Sequence, residues 1–358
     1  MADVFSFLLV LAVAVAGGFI GNKLKLPAGG MLGAMVAVVA LNIIFAQAAL
    51  PSGLQVVLQI ASGIMIGSRV TKSDALGLRK LALPAFVMVI CMLVINIAIG
   101  TVMYRFSKLD IATSLFASAP GGMMDMAIVS AELGANPAYV VLLQLSRLMF
   151  IFMCMIPFYR KITSKMKLNP GFTTYVSSIS EIGDKQQDIK SGFLLKQIFI
   201  TILCGGTSGL ALWWLGIPAG AIIGAMLGTA ICNITTSKAY FPPSCRLPLQ
   251  MVAGAFVGMR MDRESIFAMR GLIVPMLILF VGVITITFAT AFVMHKLTRL
   301  NMATCLLAST PGGLTEMAIL SDNLGLDTPK IAVLQVSRLM SVIIFFPTML
   351  YFTLRILS

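Results

Sequence analysis

Apolar residues run along this chain in long blocks rather than in the alternation of a half-buried strand or the stripes of a surface helix. In the first half the blocks lie near 5–21, 28–45, 54–70, 82–104, 111–134 and 137–158. Several reach the ~20 residues that a helix needs to cross a hydrocarbon core, so the pattern predicts an all-helical, multi-pass membrane protein. The first block, from Phe5 to Ile20, has no basic residue ahead of it and no clear cleavage site, and reads as the first membrane segment. The fifth block is different. Residues 118–127 read SAPGGMMDMA, so Pro120-Gly121-Gly122 cuts it in two. Its first arm, Ile111–Ala119, would be about 13 Å long as a helix, under half of a ~30 Å core. Such a segment either dips in and returns or crosses as a broken helix.

The interruption recurs at 309–318, STPGGLTEMA, 191 residues further on from proline to proline (311 − 120). The same offset joins Leu24–Val36 to the stretch from Leu215, and Gln59, Gly63, Gly67 and Arg69 to Gln250, Gly254, Gly258 and Arg260. It also joins Gln144 and Arg147 to Gln335 and Arg338, and it holds from Leu24 to Met149. One offset sustained over that length marks a tandem duplication. The chain divides into a first membrane repeat, 1–158, a polar linker, 159–193, containing EIGDKQQDIK, and a second repeat, 194–358.

Basic residues collect in the cytoplasmic loops of membrane proteins, and this orients the repeats. If the fifth block returns to the side it came from, each half has five crossings, and an odd number turns the second half over. With the N-terminus outside, the inside loops are 22–25, 69–80, the linker 159–196, 235–246 and 295–300. Outside the linker they carry Lys23, Lys25, Arg69, Lys72, Arg79, Lys80, Lys238, Arg246, Lys296 and Arg299. The outside loops 46–53 and 213–217 carry no basic residue, while 105–110 and 260–270 are mild exceptions. Were all six blocks to cross, the halves would be parallel and matching loops should share a bias. Yet 46–53 is uncharged where 235–246 is basic. The expected fold is therefore two inverted repeats, each of about five transmembrane helices plus a re-entrant segment broken by Pro-Gly-Gly.

Composition supports the membrane class: 59% of the 358 residues are hydrophobic and 11% charged, against roughly 25% charged in a soluble domain. The net charge of +13 sits in short loops and the linker, with no basic helix or aromatic-interleaved patch. No nucleic-acid partner is expected. The six cysteines show no CxxC spacing and read as small buried hydrophobes. A single histidine, His295, argues against copper, zinc or non-haem iron chemistry, so neither a catalytic residue nor a resident cofactor is expected.

In hydrocarbon, non-helical backbone survives only when buried in protein or lining a wet cavity. Paired discontinuous segments in two repeats point to a transport site near the bilayer midplane. On that reading Ser118, Pro120, Gly121 and Gly122 meet Ser309, Thr310, Pro311, Gly312 and Gly313 around a substrate. The alternative is a pair of kinks kept for close packing. Asp125 and Glu316 each lie five residues after a proline. They would couple transport to H+ or Na+, or else stabilise the start of a helix as first-turn acids. Gln144 with Arg147, and Gln335 with Arg338, share a helix face at i,i+3. An amide beside a planar guanidinium suits a carboxylate or phosphate substrate. The other option is internal pairing, Arg147 with Asp125 and Arg338 with Glu316. Asn42 and Asn233 suit hydrogen bonds between helices. Asn136-Pro137 and Thr328-Pro329 look like an N-cap followed by proline at the first helical position.

The doubled SxPGG…(D/E)MA…QxSRLM pattern resembles the bacterial membrane family labelled AbrB, also labelled an ammonia monooxygenase or a regulator of the aidB gene. Each half is similar to one copy of that family's duplicated domain. The resemblance implies a multi-pass protein of the bacterial inner membrane and an effect on gene expression, exerted indirectly through transport of a signal metabolite. It carries no catalytic residue over, and the monooxygenase label sits badly with one histidine. Five crossings and a re-entrant loop per inverted half also look like the glutamate- and citrate-type sodium symporters, whose re-entrant tips carry Gly-Gly. The expected function is an ion-coupled secondary transporter of a small polar or anionic metabolite. With no nucleotide-binding P-loop in the sequence, direct ATP drive is not expected. A membrane-bound regulator acting through the linker is the alternative. The expected partners are the lipid bilayer and a small-molecule substrate, with room for a homo-oligomer.

Overall fold

The computed structural model describes residues 2–24, 29–45, 53–155, 158–159, 191–261, 269–312, 317, 320–321, 324 and 326–357. Every regular element among them is helical. The first repeat contains α1 (Ala2–Lys23), α2 (Gly29–Phe45), α3 (Leu54–Gly67), α4 (Lys72–Lys80), α5 (Ala82–Phe106), α6 (Ile111–Ser118), α7 (Met123–Glu132) and α8 (Pro137–Phe150). The second contains α9 (Ser191–Trp214), α10 (Gly220–Thr236), α11 (Arg246–Gly258), α12 (Ile273–Thr298), α13 (Met302–Ser309) and α14 (Thr328–Leu357). Among the described residues five helices are long and apolar enough to cross a membrane: Ala82–Phe106, Pro137–Met155, Lys196–Trp214, Ile273–Thr298 and Thr328–Tyr351. Large apolar side chains such as Phe86, Val94, Ile202, Val281 and Phe292 face outward, as suits a protein whose solvent is lipid rather than water.

Residues 69–80, read from the sequence as a loop, contain α4, which departs from α3 at 72°. A capping box starts it: the Thr71 hydroxyl accepts from the Asp74 amide at 3.2 Å, and the Asp74 carboxylate accepts from the Thr71 amide at 2.9 Å. None of its residues is buried. The linker residues 160–190 lie outside the described residues, as do loop residues 25–28, 46–52 and 262–268.

The two repeats are interlocked. Helix α2 packs on α11 and α10 packs on α3, so the second helix of each repeat lies against the third helix of the other. Glycine makes the approach close enough: a Cβ at Gly63 would collide with the Ile222 carbonyl, and one at Gly254 with the Met31 carbonyl. Asn42 and Asn233 close the same junctions. Asn42 Nδ2 donates to the carbonyls of Met259 and Met261 at 3.3 and 2.9 Å. Asn233 Nδ2 donates to those of Ser68 and Val70 at 3.0 and 2.9 Å. Each amide thus satisfies carbonyls left over at the C-terminal end of the partner helix.

Helices α5 and α12 hold equivalent places in the two repeats and pack on each other. Met103 clusters with Leu272 and Leu279, Ile99 lies against Gly282, and Met88 and Met92 cluster with Ala291 and Met294. Residue numbers therefore fall along one helix as they rise along the other. Helix α8 continues as a π-helical turn, Ile151–Met155, which accommodates one extra residue. The repeat offset changes there from 191 to 190, which brings Pro157 into register with Pro347 (347 − 157).

Candidate functional site

The two interrupted segments are started and ended by the same chemistry. Asp110 caps α6, its carboxylate accepting from the Thr113 amide at 2.8 Å. Asn301 caps α13, its side-chain oxygen accepting from the Ala303 amide at 3.1 Å. After Ser118 and Ser309 the chain leaves the helix through Ala119 and Thr310, which have ψ of 132° and 124°. The carbonyls at those helix ends have lost their intrahelical partners.

Gln144, Arg147, Gln335 and Arg338 supply what is missing. Gln144 Nε2 donates to the Phe116 carbonyl at 3.0 Å, and Gln335 Nε2 to that of Leu307 at 2.7 Å. The Arg147 guanidinium donates to the Ala119 carbonyl and, at 3.2 Å, to that of Gly121. Arg338 donates to the carbonyls of Thr310 and Gly312 at 2.6 and 3.2 Å. A cation at the carbonyl end of a helix is also favoured by the peptide dipoles. The pairing of Arg147 with Asp125 considered from the sequence is not formed, because the break offers the guanidinium two well-placed carbonyls instead. Glu316 and Gly313 lie outside the described residues.

Both arginines are deeply buried, 2% and 5% exposed, and they lie within Coulombic reach of each other. Among the described residues neither has a carboxylate within ion-pair distance. Among the described residues the Nε of each arginine and the Oε1 of each glutamine have no hydrogen-bond partner. Two donors and two acceptors thus stand unused beside two buried cations.

The hydroxyls expected at the tips bond carbonyls of their own helices and, for Ser309, one of α12 as well. Ser118 donates to the Ser114 and Leu115 carbonyls at 3.1 and 3.0 Å. Ser309 donates to those of Thr287 and Cys305 at 3.0 and 2.8 Å, and Thr310 donates to that of Leu306 at 2.7 Å. Tyr159, which the sequence reading placed in the linker, shares a hydrogen bond with the Thr310 hydroxyl at 3.0 Å. The other break is met from the opposite repeat as well: Phe116 stands edge-on to Phe346 of α14, ring centroids 5.5 Å apart. Pro120 and Pro311 are buried, whereas Gly121, Gly122 and Gly312 keep partial exposure.

Two further contacts fix the level of the first break. The Asn136 amide donates to the Thr113 hydroxyl at 2.8 Å, so the end of the α7 arm lies beside the start of α6. Asn136 then caps α8, accepting from the amides of Ala138 and Tyr139, with Pro137 at the first position, as the sequence suggests. Arg147 meets the break ten residues further on, about 15 Å along α8. At the matching junction of the second repeat the cap keeps its place, Asp327 lying 191 residues after Asn136 (327 − 136): its carboxylate accepts from the Lys330 amide at 3.3 Å, and Thr328, expected from the sequence as the cap, is already helical.

Asp125 stands in the first turn of α7, 5% exposed. Its carboxyl faces Ser62 and the charge of Arg69, and among the described residues Oδ1 has no hydrogen-bond partner. At the far end of α7 the sequence reading missed Glu132. One of its oxygens accepts from Gln59 Nε2 at 2.6 Å and the other from the Ala219 amide at 3.1 Å. It ties α3 of one repeat to the start of α10 in the other. An acid closing an apolar block was the available signal.

The model of the AbrB family, described as transition state regulatory protein AbrB, matches residues 1–163 and 169–353. The chain is similar to the uncharacterized protein YhjN of Bacillus subtilis (strain 168), at 27% identity over 355 residues, 94% of this chain and 90% of that one. It is also similar to an Escherichia coli (strain K12) protein provisionally named regulator AbrB, at 24% identity over 358 residues, 97% of this chain and 96% of that one.

Proposed function

The chain belongs to the AbrB family, and from that premise we propose that it is an ion-coupled secondary transporter of a small anionic metabolite in a bacterial inner membrane. Its substrate site lies between the two Pro-Gly-Gly tips, near the midplane. The observation that carries this reading is the pair of buried guanidinium groups, each anchored on the carbonyls of a break and each lacking a carboxylate among the described residues. Two neighbouring cations held in a low-dielectric interior are costly without a counter-charge. A carboxylate or phosphate entering between the tips would supply it, and the unused Nε–H donors and glutamine oxygens are the groups available to orient it.

The geometry of a re-entrant hairpin supports the same reading. The contact between Asn136 and Thr113 suits a segment that dips about half-way into the core and returns. Five crossings per half then follow, and the opposed run of contacts along α5 and α12 suits two repeats in opposite orientation. In inverted-repeat transporters a site so placed can be opened to either side by movement of one element against the other. Asp125, buried and with one oxygen unpartnered, takes up and releases the coupling ion, H+ or Na+, and Glu316 does so in the second repeat. The regulatory description of the family and of the E. coli relative fits a transporter whose cargo is a signal metabolite.

The test is uptake of labelled carboxylates and organic phosphates into proteoliposomes under an imposed proton or sodium gradient. Asp125→Asn with Glu316→Gln should abolish accumulation driven by the gradient while leaving exchange between internal and external substrate. Gradient-driven accumulation that survives in this double variant would overturn the coupling roles. Absence of flux for every anion tested with well-folded protein would overturn the transporter.

A further inference from the structure

Between α5 and α14 an apolar groove of about 740 Å³ opens on the outside of the bundle. Phe86 and Phe345 form its rims, 66% and 54% exposed. The hydroxyls of Ser337 and Thr348 in its wall donate to carbonyls of their own helix, so the wall presents hydrocarbon. The repeat supplies a control. The equivalent space between α12 and α8 is filled by Phe280 and Phe150, stacked with ring centroids 4.6 Å apart. At the offset of 191, Phe280 corresponds to Val89 and Phe150 to Ser341, both of which line the groove. The groove exists because two aromatic rings in one repeat are replaced by two small side chains in the other.

Its shape and surroundings choose the occupant. The α5 wall extends from Ala82 to Leu93, about 16 Å of helix and so close to one leaflet of a ~30 Å core. At its mouth stands Leu78 of α4, followed at once by Arg79 and Lys80, both exposed. The acid of that helix, Asp74, is occupied in the capping box. We propose that this groove is a binding site for one anionic phospholipid of the leaflet on the α4 side. An acyl chain lies between α5 and α14, and Arg79 and Lys80 hold the phosphate.

Native mass spectrometry of the full chain in detergent, titrated with dioleoyl phosphatidylglycerol or dioleoyl phosphatidylcholine, tests this. One phosphatidylglycerol should be retained with roughly thirtyfold preference, the size expected of two basic residues near a lipid headgroup at about 1 kcal/mol each. Val89→Phe with Ser341→Phe, which copies the filled groove of the other repeat, should remove the retained lipid. Arg79→Gln with Lys80→Gln should cut the preference to about twofold or less; these side chains are exposed, so this variant reports even if the filled one does not fold. Equal retention of the two lipids by the unaltered chain would overturn the proposal. So would unchanged phosphatidylglycerol binding in a folded Val89→Phe/Ser341→Phe variant. Efficient Phe345→Cys disulfide dimers in liposomes would also overturn it, by placing a second copy of the chain in the groove.

Discussion

At their breaks the two repeats place glutamine and arginine alike, while along the flanks of α5 and α12 they part company. Gln144 and Gln335 reach matching carbonyls, and so do Arg147 and Arg338, with donor and acceptor separated by the same number of residues in each repeat. On the flanks, the stacked rings of Phe150 and Phe280 face an open groove at the matching place. The difference shows which demand is rigid. A carbonyl stripped of its partner in hydrocarbon needs one kind of group at one distance. Packing against lipid can be met by a ring, or by a smaller side chain with a lipid tail beside it.

The largest effect that could break this agreement comes from removing a clamp. Arg147→Ala leaves the Ala119 and Gly121 carbonyls unsatisfied, at about 1–3 kcal/mol each; Arg338→Ala does so at Gly312, while the Thr310 carbonyl keeps the Gln335 side-chain amide and the Gly312 N–H as donors. Thermal unfolding in detergent should show a loss for each variant, the larger for Arg147→Ala. A loss confined to one variant would mean that the two breaks are not equivalent. Next in size, Gly63→Leu and Gly254→Leu force α3 from α10 and α11 from α2. Each should cost about 2–3 kcal/mol as overpacking, visible as aggregation or a lowered midpoint, and a neutral outcome would contradict the interlock. The smallest effect belongs to Asn42→Ala and Asn233→Ala. A hydrogen bond between helices in a membrane contributes about 0.6–2 kcal/mol, so two modest and matching decreases are expected. A further loss of gradient-driven flux in either would connect the interlock to transport.

Much of the fold could be read from the order of residues because the duplication repeats its polar positions at a fixed offset. Gln59, Gly63 and Gly67 recur as Gln250, Gly254 and Gly258, and the glycines prove to be the crossing points of the interlock. The loss of the 191-residue register beyond Met149 coincides with the π-helical turn. What the sequence hid was which partner each polar group takes. The sequence offers Arg147 either Asp125 or a substrate anion, because opposite charges attract, yet an orphaned carbonyl at a helix break has no letter in a sequence. Helix α4 was hidden for a related reason: with little apolar surface to bury, it rests on its capping box and on the charges at its ends. Nor does the sequence show that the Ser118 and Ser309 hydroxyls bond carbonyls of the preceding turn, as a hydroxyl in an apolar helix readily does.

The exchange of α2 and α3 for α11 and α10 has a consequence for biosynthesis. While the first repeat is being inserted, Asn42 has no carbonyls of Met259 or Met261 to donate to, since those residues have not yet been translated. The early helices must wait in the bilayer with an open seam, and the late ones close it. A nascent chain stopped before α10 is accordingly an unfinished lock rather than a stable half.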